Sequence, residues 1–305
     1  MSTTEDRWFH HRGALARDGW ESVVDATTPG WEHTALRVGV LADHDELQLA
    51  ATGVERIIVP LSGHFVVTHH HHPGEWETAL HGRQSVFDGP TDVLYLPTGA
   101  TATIRGEGRV AVAEAPTDER RPWRYIAASE TPVELRGAGA SSRQVHNFGT
   151  PQAVDAVKLI VCEVITPAEN WSSYPPHKHD EHIPGHEAEL EEIYYFEAAP
   201  VTGAPADASD AAFGMFSTYS SPAGQIEIDA RVNSGDIALV PYGYHGPAVA
   251  APGYDLYYLN VMAGPDTGRA WLISDDPAHA WIRETWKDQE LDPRLPFGNT
   301  MEGKN

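Results

Sequence analysis

Asp92-Val-Leu-Tyr-Leu-Pro97-Thr-Gly99 and Asp236-Ile-Ala-Leu-Val-Pro241-Tyr-Gly243 share one pattern: an aspartate, four largely apolar residues, a proline, a variable residue and a glycine. Each copy reads as a short buried strand that ends in a tight turn, because Asp, Pro and Gly punctuate a run too short for a helix. Two copies about half a chain apart predict a duplicated β-barrel. Each is preceded by a strand that opens at a charged residue, Arg56 in the first half and Glu192 in the second. The rest of the chain agrees. Runs such as Arg56–Leu61, Val157–Val164, Ile193–Phe196 and Leu256–Val261 are short, apolar and separated by turn residues, the pattern of an all-β protein. Only Ala278–Gln289 looks helical, with Asp275 or Asp276 near the N-cap, Pro277 near the first position, and Trp281, Thr285 and Trp286 at helical spacing. The Gly/Ala-rich stretch Arg136–Ser142 marks the boundary, giving domains 1–140 and 141–305.

Composition narrows the function. The 305 residues carry 21 Lys+Arg against 44 Asp+Glu, a net charge of −23. Such a surface repels phosphate backbones, and no basic run offsets it, so nucleic-acid binding is excluded. A hydrophobic content of 41% with nine Trp argues for a folded core. The single cysteine, Cys162, sits in an apolar run and rules out an intrachain disulfide or a Cys-rich zinc site. The N-terminal MSTTEDRWFHHRG has no apolar core of a signal peptide, and no run of ~18 apolar residues spans a membrane. A cytoplasmic location and a homo-oligomeric state are expected.

Tyr174-Pro-Pro-His177-Lys-His179-Asp carries the chemistry. On a strand, residues i and i+2 share a face, so His177 and His179 converge and Lys178 points away. By the same period Glu192, Tyr194 and Phe196 share one face and Glu191 takes the other. His245 follows the second turn. In a protein with 17 His, one His-x-His pair is more often an ordinary surface or core pair. Here the pair, the strand-opening Glu and the post-turn His recur in the order a barrel metal site uses, and imidazole with carboxylate suits a borderline divalent ion.

These residues resemble the motifs of the cupin superfamily: His-x-His followed by Glu and Gly, then Gly-x5-Pro-x-Gly followed by His. Gly235, Pro241 and Gly243 match the second motif, with His245 one residue early. The first departs more: Asp180–Glu191 separates His179 from Glu192, reading as an acidic lid or loop, and Ala199 stands where Gly is usual. Trp171-Ser-Ser-Tyr-Pro-Pro-His-Lys-His-Asp180, Leu190-Glu-Glu-Ile-Tyr-Tyr195 and Pro252–Gly264 are similar to the 5-deoxy-glucuronate isomerase family of inositol catabolism. So are Val59-Pro-Leu-Ser-Gly63 and Ser85-Val-Phe-Asp-Gly-Pro90 in the first half. The resemblance implies a bicupin, two jelly-roll barrels in one chain, that converts the aldose 5-deoxy-D-glucuronate to the ketose 5-dehydro-2-deoxy-D-gluconate. It also implies kinship with the 5-keto-4-deoxyuronate isomerases of pectin breakdown, which carry zinc.

Four expectations follow. The metal ligands are His177, His179, Glu192 and His245, holding one divalent ion, zinc first, with manganese, iron or nickel as alternatives. The first barrel holds none, because Arg56 and Thr101 stand at the positions of Glu192 and His245. The run His69–His72, followed by Pro73-Gly74, reads as a solvent-exposed hairpin whose residues alternate faces. The substrate is a small sugar acid whose carboxylate needs a cation; Arg143 matches an arginine of the family, and a guanidinium fork suits that role. Isomerisation also needs a proton carrier. The catalytic residue is not identified by the sequence; Tyr194 and Tyr244 are candidates, and each also suits a core aromatic. Two other classes remain open at this level: a metal-dependent dioxygenase on the same ligands, or a non-catalytic sugar-acid-binding bicupin.

Overall fold

The computed structural model describes residues 7–298, apart from 206 and 267. Long antiparallel strands make the first barrel. Val54–His71 and Thr101–Pro116 pair along most of their length. Gly74–Arg83 and Val93–Leu96 add to Val54–His71, and Ala35–Leu41 and Glu46–Leu49 add to Thr101–Pro116. Two sheets make the second barrel. One has the order Phe9–His10, Ile237–Val240, Glu191–Pro200, Tyr254–Ala263, Ile160–Thr166, Arg143–Gly149, Val133–Arg136. The other has the order Gly224–Val232, Gly214–Ser221, Tyr244–Ala250, His177–Lys178, Ser274–Asp275, with Trp171–Ser172 joined to Tyr244–Ala250. Among the described residues no helix is long and apolar enough to cross a membrane.

Strand parity separates two cores. Ile58, Phe65, Val67, Leu94, Leu96, Ile104 and Val112 fill the first barrel. Ile57, Val59 and Leu61, on the opposite face of the same strand, join a larger core that runs into the second barrel. Burial on both faces explains why Arg56–Leu61 is an unbroken apolar run with no alternation. Charged residues stitch the halves together without solvent. Glu55 accepts hydrogen bonds from the backbone N–H groups of Val157, Lys158 and Leu159. Arg83 makes a two-pronged pair with Glu163 at 2.7 and 2.6 Å, and His146 and Tyr257 complete that carboxylate. Burial opposes the charge on Glu163, but Arg83 and His146 outweigh it and hold the carboxyl at about 2.

The sheets also cross the expected boundary at 140/141. Val133–Arg136 pairs with Arg143–Gly149, and Phe9–His10 pairs with Ile237–Ala238 on the edge of the second barrel.

Two readings need correction. The C-terminal helix is one turn, Ile282–Thr285, continued by a 3-10 turn at Trp286–Asp288. Asp276 does act as the stop before it, accepting from the Ala278 N–H, but residues 277–281 remain a turn because Pro277 and the packed strand Ser274–Asp275 fix the entry. The histidine run is not all exposed. Its hairpin exists, yet His69 is fully buried, with its ring 5.9 Å from Trp76 and 5.1 Å from Trp123. Burial, with His71 and His70 nearby, pushes His69 down to about 4. His70 and His72 face solvent, as alternation requires.

Candidate metal centre

Register places the ligands. Glu192 opens its strand opposite Val240 on one side and Met262 on the other, facing into the second barrel. His177 pairs with His245 across the neighbouring sheet. Reversal of the chain after His179 is made by a hairpin, Asp180–Ile183 with Glu187–Glu189, which is the form the expected insertion takes. Lys178 points away from the site, as parity requires, into Asp180 at 2.7 Å and Glu187 at 2.8 Å. Glu191 likewise leaves the barrel and accepts from the backbone of Glu32, His33 and Thr34.

His179, Glu192 and His245 converge, all buried, with ligand atoms within 4.8 Å of one another. His179 Nε2 lies 2.9 Å and His245 Nε2 3.1 Å from the same oxygen, Glu192 Oε2. His177 stands beside them, its ring 4.5 Å from that of His245 and 6.3 Å from that of His179. The three imidazoles are oriented alike. Nδ1 of His177 faces Pro175 O at 3.2 Å, Nδ1 of His179 faces Leu190 O at 2.9 Å, and Nδ1 of His245 faces Gly243 O at 3.1 Å. A carbonyl can only accept, so each Nδ1 carries its proton, and each neutral ring presents a bare Nε2 lone pair. Two such lone pairs against one carboxylate oxygen repel unless a cation, a proton or a metal, lies among them.

The charges follow this geometry. Burial would raise the Glu192 carboxyl, but hydrogen bonds with His179 and His245 outweigh it and hold it at about 2. Burial and the like charge of His245 and His179 push His177 well below the ordinary histidine range. His179 is raised, because its bond to Glu192 overcomes burial. Donor set and orientation therefore fit a borderline divalent ion.

A cavity of about 660 Å³ adjoins the cluster, its wall including His177, Glu192, Tyr194, Ser173, Asn260 and Tyr258 on the barrel side. Three guanidiniums line the same cavity: Arg136, Arg143 and Arg283. Two are already neutralised, Arg136 by Glu134 at 2.9 and 2.7 Å and Arg283 by Asp275 at 2.5 and 2.6 Å. Arg143 differs. It is 5% exposed and donates to Ser141 O at 2.9 Å, and among the described residues no carboxylate forms an ion pair with it. The Trp286 ring lies between Arg143 and Arg283, at 5.4 and 5.3 Å. Burial, with Arg136 and Arg283 adding in the same direction, lowers Arg143 to about 10, so it still carries its charge at neutral pH.

Of the sequence candidates, Arg143, His177, Glu192 and Tyr194 reach this cavity, and His179 and His245 complete the cluster. Tyr244 does not reach it; its ring stacks on Tyr219 at 5.2 Å. Burial and the Glu192 charge raise Tyr194 well above the usual phenol range, so it is a neutral donor rather than a base. Sequence reading missed Arg136, Arg283, Ser173, Asn260 and Tyr258. Each lay within a stretch already singled out, Ser173 in Trp171–Asp180, Tyr258 and Asn260 in Pro252–Gly264, Arg136 in Arg136–Ser142 and Arg283 in Ala278–Gln289, but strand or helix spacing gave no sign that these side chains share one cavity.

A double barrel with one His/Glu/His cluster beside a cationic cavity defines a bicupin with a candidate metal centre in its second half. The family model described as KduI/IolB matches residues 9–282, and the chain belongs to that family. The 5-deoxy-glucuronate isomerase of Geobacillus thermodenitrificans is 38% identical over 265 residues, covering 86% of this chain and 90% of that protein. A solved IolB-like protein from Salmonella typhimurium superposes with a TM-score of 0.78 at 30% identity, covering 90% of this chain and 98% of the other. Oxalate decarboxylase from Lactobacillus farciminis, at 10% identity and a TM-score of 0.55, shares the bicupin fold over 83% of this chain and 82% of its own.

Proposed function

We infer that the chain is an aldose–ketose isomerase that converts 5-deoxy-D-glucuronate to 5-dehydro-2-deoxy-D-gluconate in inositol catabolism, with one divalent ion, zinc, held by His177, His179, Glu192 and His245. The metal reading rests on one observation above others: imidazoles locked by backbone carbonyls so that the Nε2 atoms of His179 and His245 meet at one carboxylate oxygen, with His177 beside them. The isomerase reading is supported by the family and by relatives bearing that activity in their name.

When bound, the ion supplies Lewis acidity for the adjacent carbonyl and hydroxyl oxygens of the sugar. The protein's own residues do the rest. Arg143 holds the substrate carboxylate, because it is the cavity guanidinium with donors still to satisfy. That fixes a six-carbon acid end to end, carboxylate on Arg143 and carbonyl end toward Glu192, the orientation on which the rate depends. Tyr194, neutral and facing the same space, donates to a substrate oxygen. The first barrel, taken as 1–140, serves as a metal-free structural partner, since Arg56 and Thr101 stand at the positions of Glu192 and His245. A cytoplasmic homo-oligomer is the proposed form; Trp171 at 41% and Met215 at 43% exposure flank Val249 on one sheet face and suit a subunit contact. Sizing by light scattering tests the oligomer.

Metal analysis of protein purified without chelators, paired with an assay on 5-deoxy-D-glucuronate, tests the whole reading. Stoichiometric zinc with turnover is expected. Oxygen consumption in place of isomerisation points to the dioxygenase class, and binding without turnover to a sugar-acid-binding module.

A further inference from the structure

Ser173 has left-handed backbone, φ 48°, a conformation strained for a residue with a side chain. The described non-glycine residues with positive φ are Asp18, His44, Glu169 and Ser173, and of these Ser173 alone lines the cavity. The strained turn is held from the metal side. A Cβ on Gly246, the residue after His245, would stand 1.8 Å from Ser173 O, so the serine backbone packs where only glycine leaves room. The result of this arrangement is a hydroxyl pair. Ser173 Oγ and Tyr194 OH are 3.0 Å apart, either able to donate, both buried, and both on the cavity wall with Glu192.

Moving a carbonyl from C1 to C2 requires more than the transfer of the C2 hydrogen to C1. O2 must lose a proton and O1 must gain one. We propose that Ser173 and Tyr194 form a two-hydroxyl relay that carries this proton between the two oxygens, on the isomerase reading given above. One hydroxyl accepts the proton of O2–H while passing its own to the other, and the other delivers its own to O1. The O2–H bond breaks and its electron pair becomes part of the new C2 carbonyl. The O1–H bond forms from the pair released by the old one. Each hydroxyl gives one proton and receives one, so neither ends charged and no further acid or base is consumed. The backbone strain is retained because an unstrained residue 173 would carry its hydroxyl away from Tyr194.

Ser173→Gly tests this cleanly, since glycine accepts the left-handed backbone and removes the hydroxyl. On zinc-loaded enzyme and 5-deoxy-D-glucuronate, kcat is expected to fall about 100-fold, with zinc content retained, melting temperature no lower, and KM within about threefold of the parent. Tyr194→Phe should show a similar loss. The double variant should fall only about twofold beyond the worse single, because a relay fails once either member is gone. Parental kcat in Ser173→Gly, or losses that multiply in the double variant, overturns the relay and leaves the isomerase reading standing. Zinc-loaded parent enzyme that turns nothing over overturns both.

Discussion

At one register the two barrels carry opposite charges. Glu192 in the second faces Val240 and Met262; Arg56 in the first faces Leu96 and Glu114. Each charge is buried, and each is satisfied differently. Arg56 donates to Glu114 at 2.6 Å and to the carbonyls of Ala50 and Ala100, closing the barrel mouth with its own side chain. Glu192 is surrounded by imidazoles whose free nitrogens also need a cation. A duplicated scaffold thus solves the same problem, a polar position inside a barrel, once with an internal ion pair and once with a His/Glu/His cluster whose donors suit an ion. The difference teaches that one register position of a repeated barrel can serve packing or ligand chemistry according to the sign of the charge it carries.

Four experiments break or sharpen that contrast. The largest effect is expected from His179→Ala, which should remove the ion and lower turnover at least about a thousandfold, checked by metal analysis beside the assay; full metal content would show that the second barrel is not the ion's host. Arg56→Met acts on the other barrel. It leaves Glu114 with Arg37 at 3.0 Å as its remaining partner, so chemical unfolding should report a loss of roughly 3 kcal/mol with metal content unchanged. Arg143→Met should raise KM about 10- to 100-fold for the carboxylate substrate, the worth of charge-assisted hydrogen bonds, and leave the ion in place.

The smallest effect concerns acid stability of the first barrel. His69 is held at about 4 by burial, below its ordinary value. Between the two values the unfolded chain binds a proton that the folded chain refuses, so stability should fall as pH drops from about 6.5 toward 4, by roughly 1–2 kcal/mol at pH 5. His69→Phe should flatten that part of the curve, seen as a smaller drop in melting temperature from pH 7 to pH 5. An unchanged slope would place the sensitivity elsewhere.

The sequence by itself determined the duplicated strand-and-turn plan, the all-β class and the outward turn of Lys178 and Glu191 beside their inward neighbours, because strand periodicity is local and a period of two assigns faces without knowledge of the fold. It determined the sign reversal at Arg56 for the same reason, the repeat aligning it with Glu192. Tertiary structure alone decided the rest. Whether Arg143 is free or paired depends on Glu134 and Asp275 having already taken Arg136 and Arg283, and Asp275 arrives from a strand far along the chain that pairs beside His177. The burial of His69 depends on Trp123 folding over it. The C-terminal helix keeps Ile282–Thr285 and the 3-10 turn after it, a shorter span than the helical spacing over Ala278–Gln289 marked. Each of these is a matter of which distant groups compete for one charge, one face or one cavity, and no local pattern records the outcome of that competition.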